Sequence, residues 1–189
     1  QNNNSLLSGA KVSIISKKTT LDGANIKGGT VGINSDELVV TTRTDNSHSK
    51  QREQGMSVGD TNGFNKLDAK SNGEWVGQVS GIEATESLDI TAKHTELTGA
   101  YIAQINADGT QGDNLTMVTN TLKTNDIIGK DSAESEGYSI GVSLQTNKGG
   151  QTNPSAINLG YSTSGHDKEQ LVKATIGNGS VQVGSGKIS

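Results

Sequence analysis

The sequence predicts an all-β fold, a right-handed parallel β-helix (a solenoid rod) with loop excursions, and three observations lead there. Apolar residues alternate in short runs instead of recurring at helical spacing. Gly, Asn, Asp or Ser closes each run. A set of these runs recurs further along the chain in the same order, which is the mark of a repeat architecture.

The runs are Val12 and Ile14; Val31 and Ile33; Leu38 and Val40; Leu88 and Ile90; Leu115 and Met117; Ile140, Val142 and Leu144; Ile157 and Leu159; Val181 and Val183. Alternation of this kind buries one face of a strand, because successive side chains point to opposite sides. Short strands at close spacing fit a sandwich, a barrel or a β-helix. Internal repetition favours the β-helix, and a sandwich is the second choice.

The stretch from Val12 to Ile26 lies over the stretch from Leu88 to Ile102, matching both the apolar positions and the pairs Gly23-Ala24 and Gly99-Ala100. Asp36-Glu37-Leu38-Val39-Val40 is echoed by Asp113-Asn114-Leu115-Thr116-Met117, and Gly55-Met56-Ser57-Val58-Gly59 by Gly137-Tyr138-Ser139-Ile140-Gly141. With roughly 20 residues per coil and coils about 4.8 Å apart, the chain is expected to form about eight or nine coils in a rod about 40 Å long. It is read as one β-helical unit over 1–189, with related copies at about 10–60 and 86–142 and a distinct tail at about 157–189. Leu21, Ile26, Ile33, Val40, Ile90, Leu97, Ile102 and Ile140 form the expected inward set.

Composition supports this reading. Only 30% of the residues are hydrophobic and 3% aromatic, yet the net charge is a modest -4, so the usual signature of disorder is incomplete. Twenty-five glycines and a single proline suit strands joined by tight corners. Cysteine is absent, so neither disulfides nor thiolate metal sites can form. A solenoid tolerates such a composition because each coil is covered by its neighbours. Residues 1–15 lack the basic-then-apolar order of a signal peptide and Gln1 opens in mid-pattern, so the chain is expected to be a piece of a longer protein.

The string Leu6-Leu7-Ser8-Gly9-Ala10-Lys11-Val12-Ser13-Ile14, followed by Leu21-Asp22-Gly23-Ala24-Asn25-Ile26, resembles the haemagglutinin-type repeats of two-partner-secretion exoproteins. The tail, with Gly160-Tyr161-Ser162, Asp167-Lys168-Glu169-Gln170 and Ala174 to Val181, resembles the junction that precedes the pretoxin part of contact-dependent growth inhibition toxins. The resemblance implies a non-enzymatic segment of a secreted, cell-surface exoprotein. Its parent would be exported by an outer-membrane β-barrel transporter, and this region would contact a target cell's outer membrane during toxin delivery. The chain departs from the family in lacking both an amino-terminal secretion domain and a Val-Glu-Asn-Asn motif.

Candidate chemistry is sparse. Gly55 to Gly59 and Gly137 to Gly141 match the Gly-x-Ser-x-Gly nucleophile elbow, but that device needs a strand, a sharp turn and a helix, and no helical pattern follows either copy. His48, His94 and His166 are far apart, and His94 takes the place of Lys18 in the earlier copy, which points it to solvent. The acidic turns Gly59 to Gly63 and Asp108 to Asp113 fit neither an EF-hand nor a β-roll calcium repeat. No catalytic residue, metal site or cofactor is therefore assigned. A β-helical polysaccharide enzyme is the enzymatic alternative and an adhesin shaft binding a cell-surface receptor the non-enzymatic one.

The polar run from Thr42 to Gln54 has no hydrophobic side chain and reads as an exposed excursion, with Arg43, His48, Lys50 and Arg52 as its contact residues. Its counterpart is 123–136. The acidic balance and the lack of a basic, aromatic-interleaved face argue against nucleic acid. Open strand edges at both ends of the stack make end-to-end self-association an expected property.

Overall fold

The computed structural model describes residues 3–57, 61–146 and 152–184, and among these every regular element is a strand. The strands are β1 (Ser5–Asp22), β2 (Ala24–Thr41), β3 (Asp45–Ser57), β4 (Thr61–Trp75), β5 (Gly81–Thr98), β6 (Tyr101–Gln104), β7 (Leu115–Asn125), β8 (Ile127–Thr146), β9 (Thr152–Val172), β10 (Thr175–Ile176) and β11 (Ser180–Val183). The chain divides into two compact units. One comprises Gln1–Asp45, Trp75–Gly129 and Gln170–Ser189, and the other Asn46–Glu74 and Lys130–Glu169.

The first unit is built on a seven-stranded sheet ordered β1-β2-β5-β6-β10, with β7 on β5 and β11 on β7. Its pairings are all parallel. Five successive layers result: β1, then β2, then β5, then β6 with β7, then β10 with β11. Ser5 lies beside Ala24, Val12 beside Val31 and Leu21 beside Val40, so the offset stays constant along the paired length.

That register stacks like on like. Leu7, Ile26, Ile82, Ile102 and Ile176 form one column, and Ile14, Ile33, Ile90, Met117 and Val181 another. Val12, Val31, Leu88 and Leu115 make a third, and Leu21, Val40 and Leu97 a fourth. The inner layers of these columns are buried and together form the hydrophobic core. Polar residues stack in the same way: Ser16 and Ser35 are register partners, and their hydroxyls lie 3.1 Å apart.

Corners decide where the chain goes next. Gly23 (φ +61°) and Gly99 (φ +53°) occupy the left-handed region, where a Cβ is disfavoured, and each passes the chain directly into the next layer. At the equivalent corner positions stand Thr42 and Asp126, and there the chain departs into the second unit. Equivalence follows from the hydrogen bonds: Gly23 N donates to Thr41 O, Thr42 N to Thr98 O and Gly99 N to Asn125 O. Side chains secure the departures. Thr42 Oγ1 donates to Gly99 O at 2.6 Å and accepts from Ser80 N at 2.8 Å, while Asp126 Oδ1 accepts from Ala174 N at 2.9 Å.

The second unit is a four-stranded sheet ordered β3-β4-β8-β9. β4 and β8 run antiparallel, with Phe64 opposite Ile140 and Lys66 opposite Tyr138.

Several expectations are corrected. Leu21, Ile26, Ile33, Val40, Ile90, Leu97 and Ile102 are buried as anticipated, but Ile140 is 50% exposed. Its strand pairs with β4 instead of joining the layers, so its alternation marks a different sheet. The stack among the described residues has five layers, not eight or nine, because 46–74 and 130–169 pair with each other. The polar excursion is not a loop beyond Thr44, since Asp45 begins β3. Backbone pairing in an antiparallel sheet needs no apolar side chain.

The repeats fare unevenly. Val12 and Leu88 do share a column, as the first correspondence requires. Leu38 and Leu115 do not: Leu38 stands beside Thr95, and Leu115 beside Leu88.

Candidate functional site

The second unit carries a block of exposed apolar side chains, and strand alternation explains how it arises. Tyr138 and Ile140 are two apart on β8 and share one face, as do Phe64 and Lys66 opposite them on β4. Tyr161 of β9 joins that face by packing on Tyr138, with ring centroids 5.0 Å apart and planes tilted by 43°. Leu159, two residues before Tyr161, lies on the same side. On β3, Arg52 reaches Asp68 at 3.2 Å, which places Arg52 on this face, and Met56, four residues on, shares it.

The result is a patch of Met56, Phe64, Tyr138, Ile140, Leu159 and Tyr161, with exposures from 42% for Phe64 to 79% for Met56. Contiguous apolar surface of this sort is uncommon on a soluble monomer and marks a contact surface. The opposite face carries small or polar residues and one leucine: Ser139 faces Asn65, Gly137 faces Leu67 and Ser135 faces Ala69. Ser135 and Ser164 hydroxyls are 2.9 Å apart there.

Charge borders the apolar block along the strands. Lys66 Nζ lies 2.9 Å from Asp68, whose carboxyl it holds below the usual carboxylate range, with Arg52 and Lys70 adding smaller effects. Tyr138 is pushed up, chiefly by the negative charge of Glu136. The tyrosine pair therefore stands where the apolar block gives way to charge, a position that suits a ring with one apolar and one polar end.

The four residues expected to make contact are all exposed, but they do not form one loop. His48, Lys50 and Arg52 alternate along β3 and so share the face that bears the apolar block, with His48 Nδ1 hydrogen-bonded to the Asn72 side chain. Arg43 belongs to the first unit. There it forms a two-pronged ion pair with Asp22, at 3.0 Å and 2.7 Å, which lowers the carboxyl's pKa and raises the guanidinium's.

Sequence reasoning missed the apolar block because it assigned Ile140 to the interior. Alternation alone does not tell a strand that buries its apolar side from one that displays it.

Gly137 to Gly141 lies inside β8, with Ser139 opposite Asn65 in flat sheet, so no elbow forms there. The first copy, Gly55 to Gly59, runs into residues outside those described, as does the turn Gly59 to Gly63. The acidic segment 108–113 is a turn in which Asp108 Oδ1 accepts from the Thr110 backbone and hydroxyl. His94 is exposed in the column of Lys18 and Glu37, as its exchange with Lys suggested.

A shallow depression of about 400 Å³ is lined by one carboxylate, Glu53, together with Asn65, Leu67 and Ser139 of the opposite face and residues beside them. Glycoside hydrolysis uses a pair of carboxylates across the scissile bond. Among the described residues no group of three or more His, Cys, Asp or Glu could hold a metal ion, and no helix is long and apolar enough to cross a membrane.

Comparison with protein-family models, with curated proteins and with solved structures finds no match.

Proposed function

We propose that this chain is a non-enzymatic structural and delivery segment of a bacterial surface exoprotein, wound as a right-handed β-helix and touching a target cell's outer membrane through its second unit. The observation that carries the reading is the constant parallel register of the first unit. Ser5 pairs with Ala24 after the whole of β1 has intervened. A straight strand of that length would span about 60 Å, whereas parallel partners lie about 4.8 Å apart. That geometry supports a run that circles back on itself once per layer, and a rod grows by repeating that step.

The handedness, the export through an outer-membrane β-barrel transporter and the surface location rest on the resemblance to filamentous-haemagglutinin repeats. The membrane contact is supported by the block around Phe64, Ile140 and Leu159, edged by Tyr138 and Tyr161 and then by charge. Paired tyrosines between apolar and charged zones suit a membrane–water interface.

The test is flotation of the purified chain with vesicles of phosphatidylethanolamine and phosphatidylglycerol containing lipopolysaccharide. The chain is expected to float, and a variant combining Ile140→Asp with Leu159→Asp to stay behind with an unchanged far-UV circular dichroism spectrum. Failure of the unmodified chain to float, or flotation of both proteins alike, overturns the membrane reading. Binding that occurs only on intact cells and disappears after those cells are treated with protease replaces it with a receptor-binding adhesin shaft.

A further inference from the structure

The four-stranded sheet of the second unit has two open edges of opposite charge, and we infer that they join one copy of this chain to another, β9 of the one against β3 of the other. Among the described residues β3 pairs only with β4 and β9 only with β8, so each presents one side of its backbone as an open edge, the kind of surface that templates another strand. Both edge strands are flanked in the sequence by further strands, β2 before β3 and β10 after β9.

Side-chain contacts give the register. His48 meets Asn72 and Arg52 meets Asp68 across β3 and β4, while Lys130 meets Glu169, Ser135 meets Ser164 and Tyr138 meets Tyr161 across β8 and β9. Each set steps up one strand as it steps down the other, the mark of antiparallel pairing, and β4 and β8 are antiparallel too. Direction therefore alternates across all four strands. A second copy's β3 set beside β9 continues that alternation. Keeping the rows straight puts Met56 beside Leu159 and His48 beside Asp167, with Lys50 diagonal to Asp167 and within reach of it. The apolar row of Met56, Phe64, Ile140 and Leu159 then runs on into the next copy.

Charge selects the occupant. On the face that bears the apolar block, β3 carries Lys50 and Arg52 and β9 carries Asp167 and Glu169, all exposed. On the other face the signs reverse, with Glu53 on β3 and Lys168 on β9. Charge on an edge strand discourages pairing with a like edge. Two β3 edges, or two β9 edges, bring like charges together, whereas β3 against β9 brings opposite ones together, and cross-strand neighbours of opposite sign attract. The two sides of the joint are different surfaces, so the contact is heterologous and each added copy brings a free edge of its own. Edge pairing covers neither face of the sheet, and the inference does not rest on the membrane reading.

Sedimentation velocity on the purified chain in lipid-free buffer tests it. The weight-average mass is expected to climb above 19.6 kDa with loading concentration. It is expected to fall back when salt is raised from about 0.1 M to about 1 M, which shortens the screening length from about 10 Å to about 3 Å. Lys50→Glu and Asp167→Lys are each expected to sediment as monomers, because each sets like charge against like at the joint. An equimolar mixture of the two is expected to associate again, since the reversed edge of each matches the reversed edge of the other, and a chain carrying both reversals is expected to associate by itself. Far-UV circular dichroism checks that each variant is folded. If a reversal fails that check, Gln51→Cys and Ser164→Cys replace it, being opposite one another in the same register; mixed and mildly oxidised, these two single variants are expected to cross-link to each other well beyond either alone.

A concentration-independent monomer overturns the inference. So do folded reversals that leave association unchanged, or a mixture of them that stays monomeric. With the cysteine variants, cross-linking no greater in the mixture than in either protein alone overturns it as well.

Discussion

Ile90→Ala is the sharpest test of the layered core. Ile90 is 1% exposed and stands in its column between Ile33 and Met117. Truncation removes three methyl or methylene groups from the interior, a transfer loss of about 2.4 kcal/mol at about 0.8 kcal/mol each. Neighbouring layers are locked by their parallel hydrogen bonds and close only partly over the gap, so the cavity raises the cost to about 3–4 kcal/mol. Ile140→Ala removes the same atoms from a side chain already half in water, where the loss is about half as large, about 1.2 kcal/mol, with no buried cavity added to it. Urea unfolding followed by far-UV circular dichroism reads both as midpoint shifts at unchanged slope. Equal shifts for the two variants, or a larger one for Ile140→Ala, would refute the assignment of Ile90 to the core and Ile140 to the surface.

Other consequences follow from the corners and the charges. Gly23→Ala should destabilise the chain by about 1–2 kcal/mol, since φ is +61° and the left-handed region penalises a Cβ, whereas Gly32→Ala, with nothing near its added Cβ, should be close to neutral; thermal melts compare the two. Thr42→Val strands the Ser80 N–H without its acceptor and Gly99 O without its donor in the interior, at a cost of about 1–3 kcal/mol in the same assay. The carboxyls of Asp22, Asp36, Asp68 and Glu96 are lowered, chiefly by hydrogen bonds from Arg43, Lys93, Lys66 and Lys123 respectively. Their pKa values in the fold lie below the unfolded ones, so their stabilisation is complete above the ordinary values of 3.8 and 4.5 and is lost as pH falls through the lower folded values. Unfolding midpoints measured at descending pH should therefore hold steady down to about pH 5 and then drop, and Asp22→Asn should soften that drop.

Much of the first unit was legible because its side chains obey one rule. Columns such as Ile14, Ile33, Ile90 and Met117 require an apolar residue at the same register position of each paired strand, and that requirement leaves the alternation and the Gly-Ala corners visible in the sequence. The second unit was misread for a related reason. Tyr138, Ile140 and Val142 alternate with Gly137, Ser139 and Gly141 as a core strand would, and nothing local says whether the apolar side meets protein or solvent. The corners held a clue. Asp22-Gly23 passes into the next layer while Thr41-Thr42 departs, but the difference acquires meaning only once the register shows that Gly23, Thr42 and Gly99 occupy one corner. The contact residues were half legible: polarity marked His48, Lys50 and Arg52 as exposed, but it could not reveal that they share a strand face with Met56.

The central claim, that the chain circles once and returns beside itself, is tested most directly by engineered disulfides, since the natural sequence has no cysteine to interfere. Lys18 and Glu37 are parallel partners in adjacent layers, and Glu37 is in turn the partner of His94. Parallel partners lie about 5 Å apart at Cα, inside the range of about 4.4–6.8 Å that a disulfide spans. Lys18→Cys with Glu37→Cys should cross-link on mild oxidation, and Lys18→Cys with His94→Cys, two layers apart, should not. Asp-Gly between two strands is also the strongest short signal for an antiparallel hairpin, and a two-residue hairpin loop at Asp22-Gly23 would set Lys18 against Lys27. Efficient cross-linking of Lys18→Cys with Lys27→Cys, and none between positions 18 and 37, would contradict the account.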